Sequence, residues 1–107
     1  MKVNAKLVAA AQVHARNMGS LGRMEHELQG VAQPTLQSRA AYVGYAGSWL
    51  GENLGMGYTD AASLVRGWVQ SAAHRSTLLS PNLTEAGVGV ARDAEGRLYF
   101  CQTFGKP

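Results

Sequence analysis

Apolar positions recur at three- and four-residue steps from the start of the chain: Val3, Leu7, Ala10, His14, Met18 and Leu21. That period marks one face of a helix, with Gly19 and Gly22 expected to end it near Met18 or Gly19. His14 falls on the stripe, where a histidine at the core edge with one hydrogen bond is the simplest reading. Pro34-Thr35 opens a second helix over 35–43, with Leu36, Ala40 and Val43 on its buried side and Gly44 and Gly47 at its end. The best-patterned helix follows. Thr59 is its expected N-cap, with Asp60 in a first turn where the helix dipole favours a carboxylate. Ala61, Leu64, Val65, Trp68 and Val69 then fill the i, i+3, i+4, i+7, i+8 template. Gly67 inside it costs about 1 kcal/mol relative to Ala, which a close approach of another backbone would explain. Trp68 reads as core.

After Pro81 the period shortens to two. Residues 87–92 read as a strand, Asp93-Ala94-Glu95-Gly96 as a turn and 97–104 as the return strand. On the return strand Leu98, Phe100, Gln102 and Phe104 face one way, and Tyr99, Cys101 and Thr103 the other. Both sides are largely apolar, so the hairpin is expected to be covered on both faces, with Cys101 a small core residue. Gly87-Val88-Gly89-Val90 lies within a strand with no helix after it, so it is not a phosphate loop. Helices first and a terminal hairpin last give an α+β domain.

The 107 residues suit one domain. A hydrophobic fraction of 46% with 16% charged residues excludes disorder. The net charge is +3, but the basic residues are scattered and form no stripe, so no nucleic-acid partner is expected. The single Cys101 excludes an internal disulfide and a cysteine-based zinc site, and it leaves the compartment open. No apolar run is long enough to span a bilayer. Met1-Lys2 and the apolar residues after it look faintly like a signal start, but Asn4 and Lys6 interrupt them, so the chain reads as a mature or trimmed domain.

Three segments carry candidate chemistry. Gly51-Glu52-Asn53-Leu54-Gly55 places a carboxylate and an amide with little packing use in what reads as a glycine-bounded turn. Glu25-His26-Glu27 sets an imidazole between two carboxylates, which are expected to raise its pKa. Position 30 is glycine, so the zinc-binding His-Glu-x-x-His helix is absent. If the long helix persists past Gln70, then Gly67, Ser71, His74 and Leu78 share a face, and Ser71 and His74 are neighbours. Ser71 reads as a helix-end cap, because a nucleophilic serine needs a base held by a third group and an oxyanion hole. Glu52, His26 and His74 are expected to meet in one cleft, with Asn53 and Ser71 beside them.

Gly51-Glu52-Asn53-Leu54, then Trp68-x-x-Ser71-x-x-His74-Arg75, then Leu78-Leu79-x-Pro81-x-x-Thr84-Glu85-x-Gly87-Val88-Gly89-Val90, then Tyr99-Phe100-x-Gln102-x-Phe104-Gly105 resembles the bacterial branch of the CAP superfamily. This SCP-like grouping holds cysteine-rich secretory proteins, venom antigen five and plant pathogenesis-related proteins. The likeness runs from about Leu7 to the C-terminus. It implies a three-layer α–β–α sandwich with a small central, mainly antiparallel sheet, and a single domain over 1–107. It implies a cleft of two histidines and two acids. By motif, His26, Glu52 and His74 fill three of these places, and the fourth falls at Gln70 or Ser71, with no acid. Similar domains carry an earlier helix, whose share of the core is then absent or supplied by another chain. The resemblance also implies an extracellular or cell-envelope location.

Two imidazoles and a carboxylate suit a divalent ion, zinc first, bound weakly through His26 and His74. The leading expectation is a non-enzymatic binding module whose cleft takes a metal, a peptide, a glycan or a lipid. The alternative is a hydrolase, with Glu52 as general base on a water and His74 polarising the substrate. A third reading makes the cluster a brace of the fold.

Overall fold

The computed structural model describes residues 2–107, apart from the side chains of Ala61, Ala72 and Ala73. In chain order the elements are β1 (Lys2–Val3), α1 (Ala5–Leu21), α2 (Leu36–Tyr42), β2 (Trp49–Met56), α3 (Ala61–Gln70), α4 (Ala72–Leu78), β3 (Glu85–Arg92) and β4 (Leu98–Lys106). The sheet runs β1-β3-β4-β2. β1 pairs parallel with β3, while β3–β4 and β2–β4 are antiparallel. The expected α+β sandwich with a mainly antiparallel sheet is what the chain forms.

β4 lies between β3 and β2, and its alternation sorts the core into two layers. Tyr99 and Cys101 pack with Leu54 against Ala11, Ala15 and Met18 of α1. Phe100 points the other way, onto Leu64 and Trp68 of α3. α1 lies close along β3 because Gly87 and Gly89 carry no side chain. A Cβ at Gly87 would run into the backbone of Leu7 and Val8, and one at Gly89 into that of Ala11 and Gln12. The two strand glycines therefore serve contact between a helix and a sheet.

α1 differs from the sequence expectation at both ends. Val3 belongs to β1 and is exposed rather than on the helix stripe. Asn4 caps α1 instead, its side chain accepting from Lys6 and Leu7 N–H. Gly19 does not end the helix. It lets α1 approach the Arg92 carbonyl, and the helix stops at Gly22, which adopts the left-handed conformation that glycine favours.

The third helix starts one residue later than expected. Asp60, not Thr59, is the N-cap, accepting from Ser63 N–H. Leu64 and Trp68 are buried as the pattern requires, while Val65 and Val69 are about half exposed. The Ala61 side chain lies outside the described residues. What sits against Gly67 is the Tyr58 side chain rather than a backbone. The helix does not persist past Gln70, because Ser71 is extended (φ −93°, ψ 122°) and separates α3 from α4.

The largest departure is at residues 49–56. The glycine-bounded turn expected around Glu52 is the strand β2, paired with β4 so that Glu52 faces Thr103 and Asn53 faces Gln102. Three polar or glycine residues in a row lower strand propensity, and the compensation lies in side chains far away in sequence.

Candidate functional site

Because β2 is a strand, Glu52 and Asn53 point to opposite faces of the sheet. Glu52 enters the layer beneath α1 and α2, where its side chain is only 2% exposed. Its carboxylate is fully engaged. Oε1 accepts from Arg39 Nη2 at 2.7 Å and from the Cys101 thiol at 3.4 Å, and Oε2 meets His26 Nδ1 at 2.8 Å.

Arg39 comes from α2 and is completely buried. Beyond Glu52, its guanidinium donates to the carbonyls of His26 (3.2 Å) and Pro34 (3.3 Å). It thereby ties the segment between α1 and α2 to the sheet. Leu28 is buried, and its N–H donates to the Pro34 carbonyl, which closes that segment into a compact loop. His26 rides on this loop with its side chain 63% exposed, anchored by Nδ1 and open at Nε2.

His14 reaches the same region from α1. It is fully buried rather than at the core edge, and its ring Nε2 bonds the Glu25 carbonyl at 2.8 Å. A bond to a carbonyl requires the proton on Nε2. Nδ1 then has no partner among the described residues, nor has Arg39 Nε.

The charges respond accordingly. Burial pushes the Glu52 carboxyl up, but the His26 hydrogen bond and the Arg39 charge outweigh it and hold the pKa below the ordinary range. The hydrogen bond to Glu52 raises the pKa of His26. The rise expected from Glu25 and Glu27 has its source in Glu52 instead; Glu25 lies 3.9 Å from Arg23. Desolvation lowers the pKa of His14. Burial, and then the Glu52 charge, drive the Cys101 thiol well above its usual value.

On the opposite face, Asn53 is buried, and its Nδ2 donates to the His74 carbonyl at 3.2 Å. His74 lies on α4. Its Nδ1 meets Ser71 Oγ at 2.9 Å, and its ring stacks on Trp68 with centroids 6.4 Å apart. Trp68 is itself fixed by Nε1–H donating to the Leu54 carbonyl at 2.8 Å. Ser71 stands at the helix end as expected of a cap, its backbone N–H donating to the Gly67 and Trp68 carbonyls, but its side chain makes no cap bond to α4 and its hydroxyl serves His74.

The structure thus joins His26 to Glu52 directly, and Asn53 and Ser71 to His74. No bond links the two histidines, or His74 to Glu52, among the described contacts. No group of three or more His, Cys, Asp or Glu suited to a metal occurs among the described residues. Among the described residues no carboxylate orients His74 behind Ser71, so the pair lacks the third member that activates a serine.

Arg39 is the residue that motif reading passed over, while His14, read as a histidine with one hydrogen bond, has that bond. Arg39 sits three positions after Leu36, on the stripe that carries Ala40 and Val43. A charge on a buried stripe signals a buried partner.

The sequence model of the cysteine-rich secretory protein family (CAP) matches residues 1–104. Of two Bacillus subtilis (strain 168) proteins, the uncharacterized membrane protein YlbC is 41% identical over 54 residues, half of this chain and 14% of its own length. The uncharacterized protein YkwD is 24% identical over 106 residues, 99% of this chain and 40% of its own. The chain therefore spans well under half the length of these relatives. Among solved structures, an extracellular protein containing a SCP domain from Bacillus anthracis superposes with a TM-score of 0.89 at 23% identity, over 100% of this chain and 34% of that one. An outer surface protein from Borrelia burgdorferi gives 0.87 at 21% identity, over 99% of this chain and 77% of that one.

Proposed function

The chain belongs to the cysteine-rich secretory protein family, and from that premise we propose that it is a binding module without catalytic activity, working at the cell envelope or outside the cell. Its recognition point is His26, presented by Glu52, with His74, Ser71 and Asn53 on the other side of β2. The observation that carries this reading is the commitment of both Glu52 oxygens to Arg39, Cys101 and His26. A general base needs a free oxygen near the proton it takes and a pKa near the working pH. Glu52 has neither, so it acts as a brace. β2 is the outer strand, so a ligand lying along its open edge can be reached from both faces of the sheet, by His26 on one and His74 on the other.

A divalent ion of the zinc class is the metal that imidazole donors would favour. In both histidines Nδ1 is held, by Glu52 in one and by Ser71 in the other, as in metal-ligating imidazoles whose second nitrogen bonds an outer partner. Nε2 is the atom that each imidazole would offer such an ion, with Glu52 an outer-sphere partner of His26 rather than a ligand. Bound there, zinc would supply an electrophilic centre with exchangeable positions for a ligand's oxygen donors. The same strand edge without metal suits a peptide, a glycan or a lipid headgroup that hydrogen-bonds the imidazoles.

Titration calorimetry with zinc, and a peptide and ester turnover screen, test the reading. Binding lost in His26→Ala and in His74→Ala, with no turnover by the parent protein, supports it. Turnover abolished by Glu52→Gln overturns it in favour of the hydrolase.

A further inference from the structure

A concavity of about 310 Å³ lies where the β3–β4 turn meets the segment after β2. Tyr58, Thr59, Arg92, Gly96, Arg97 and Leu98 line it. We propose that this pocket binds a phosphate ester of polyol or small-sugar size, at a site separate from His26 and Glu52.

Arg92 ends β3 and Arg97 stands just before β4, so the four-residue turn brings two guanidiniums to one hollow. The Gly57 N–H donates to the Leu98 carbonyl at 2.9 Å, which seats the Tyr58-Thr59 segment opposite them. Arg97 is paired with Asp93 at 3.0 Å, whereas Arg92 has no carboxylate partner among the described residues, so its charge at the hollow is left unbalanced. The lining holds no carboxylate. The nearest acid of the turn, Asp93, is occupied in folding it: Oδ1 accepts from the Glu95 and Arg97 N–H groups, and Oδ2 from Arg97 Nε and the Tyr99 hydroxyl.

Those bonds position the arginines without exhausting them. Arg97 is held by Nε, and Arg92 by Nη1, which donates to the Gly96 carbonyl at 3.2 Å. Both Nη atoms of Arg97, and Nε and Nη2 of Arg92, keep donors with no other partner among the described residues. Paired guanidinium forks match phosphate oxygens bidentately, which a lysine ammonium does not. Thr59 adds a hydroxyl-bearing side chain to the lining that suits a polyol. The volume is at the small end for ligand pockets, which selects a compact ester.

The test titrates the protein with glycerol 1-phosphate, with glycerol as the neutral control, following amide NMR shifts. Vesicles of phosphatidylglycerol and of phosphatidylcholine form a second arm. Shifts at Thr59, Gly96 and Arg97 with the phosphate but not with glycerol are expected. Affinity should fall at least tenfold in Arg92→Gln, two- to threefold in Thr59→Val, and with rising salt. Arg92→Gln spares the Asp93 bonds, so an unchanged melting temperature separates lost binding from lost fold. Binding of phosphatidylglycerol vesicles alone, also lost in Arg92→Gln, assigns the same pocket to a lipid headgroup. No binding in either arm, or equal affinity in a folded Arg92→Gln, overturns the proposal.

Discussion

The Arg39 guanidinium lies 2.7 Å from the Glu52 carboxylate with both side chains out of water. A buried pair of this kind gains little over well-packed apolar residues, but removing one partner strands the other charge at a cost of about 3–5 kcal/mol. Arg39→Met should lower the unfolding free energy by about that amount in urea denaturation. The double variant Arg39→Met, Glu52→Gln should recover part of the loss. A single-variant cost under about 1 kcal/mol would show that the pair does not organise the loop carrying His26.

The His26–Glu52 bond has a pH signature. His26 has a raised pKa in the folded state, so its contribution is fully present below the ordinary histidine value of about 6.5 and fades as pH rises through the folded pKa. Glu52 has a lowered pKa, so its contribution is present above the ordinary carboxylate range and is lost as pH falls through the folded value. His14 is also lowered, so protonating it erodes stability as pH drops below about 6.5. NMR titration of the imidazoles should find His26 above and His14 below the ordinary value. In Glu52→Gln the His26 pKa should fall. The gain from His26 itself should be modest, since its ring is mostly solvated.

Glycines of similar appearance should behave differently. A methyl at Gly87 would meet the α1 backbone at Leu7 and Val8, which cannot yield without moving the helix off the sheet. Gly87→Ala should cost about 3 kcal/mol or more, at or beyond the usual range for overpacking. A methyl at Gly67 would meet the end of the Tyr58 ring. Displacing Tyr58 is offset by about 1 kcal/mol of helix propensity, so Gly67→Ala should lie within about 1 kcal/mol of the parent. Equal losses in thermal melts would contradict the close helix–sheet packing described above.

The Gln12 side chain occupies the edge of β3. Its Nε2 donates to the Val90 carbonyl at 2.9 Å, and its Oε1 accepts from the Val90 N–H at 3.2 Å. One amide side chain thus stands in for a neighbouring strand beyond the two-residue β1. An uncovered strand edge invites pairing with another chain. Gln12→Ala should therefore increase concentration-dependent association in light scattering, with little change in the helix signal.

The elements whose sequence period was unbroken were legible: α1, the Leu64–Trp68 face of α3, and the β3–β4 hairpin, although only β4 is covered on both faces, since Val88 and Val90 leave one face of β3 exposed. β2 was not, because Glu52 and Asn53 are stabilised by Arg39 and by the His74 carbonyl, partners 13 and 21 residues away that no local pattern reveals. Asp60 displaced Thr59 as cap because its carboxylate reaches the Ser63 N–H at 2.8 Å. The end of α3 at Ser71 agrees with reading that serine as a helix-end cap, while the restart of the chain as α4 and the Ser71 hydroxyl's bond to His74 were not legible. Of the candidate site, the residue types were legible and the bonds were not. His26 was read as flanked by its neighbours in sequence, whereas its partner comes from the opposite side of the core.

Cys101 lies under Glu52 with no exposure, and its thiol is held near Glu52 and Thr103. A labelling reagent can reach that sulfur only when the α1 layer parts from the sheet. The lone cysteine therefore works as an internal clock: its modification rate reports how often the domain opens, and a ligand that clamps the His26 loop would slow it.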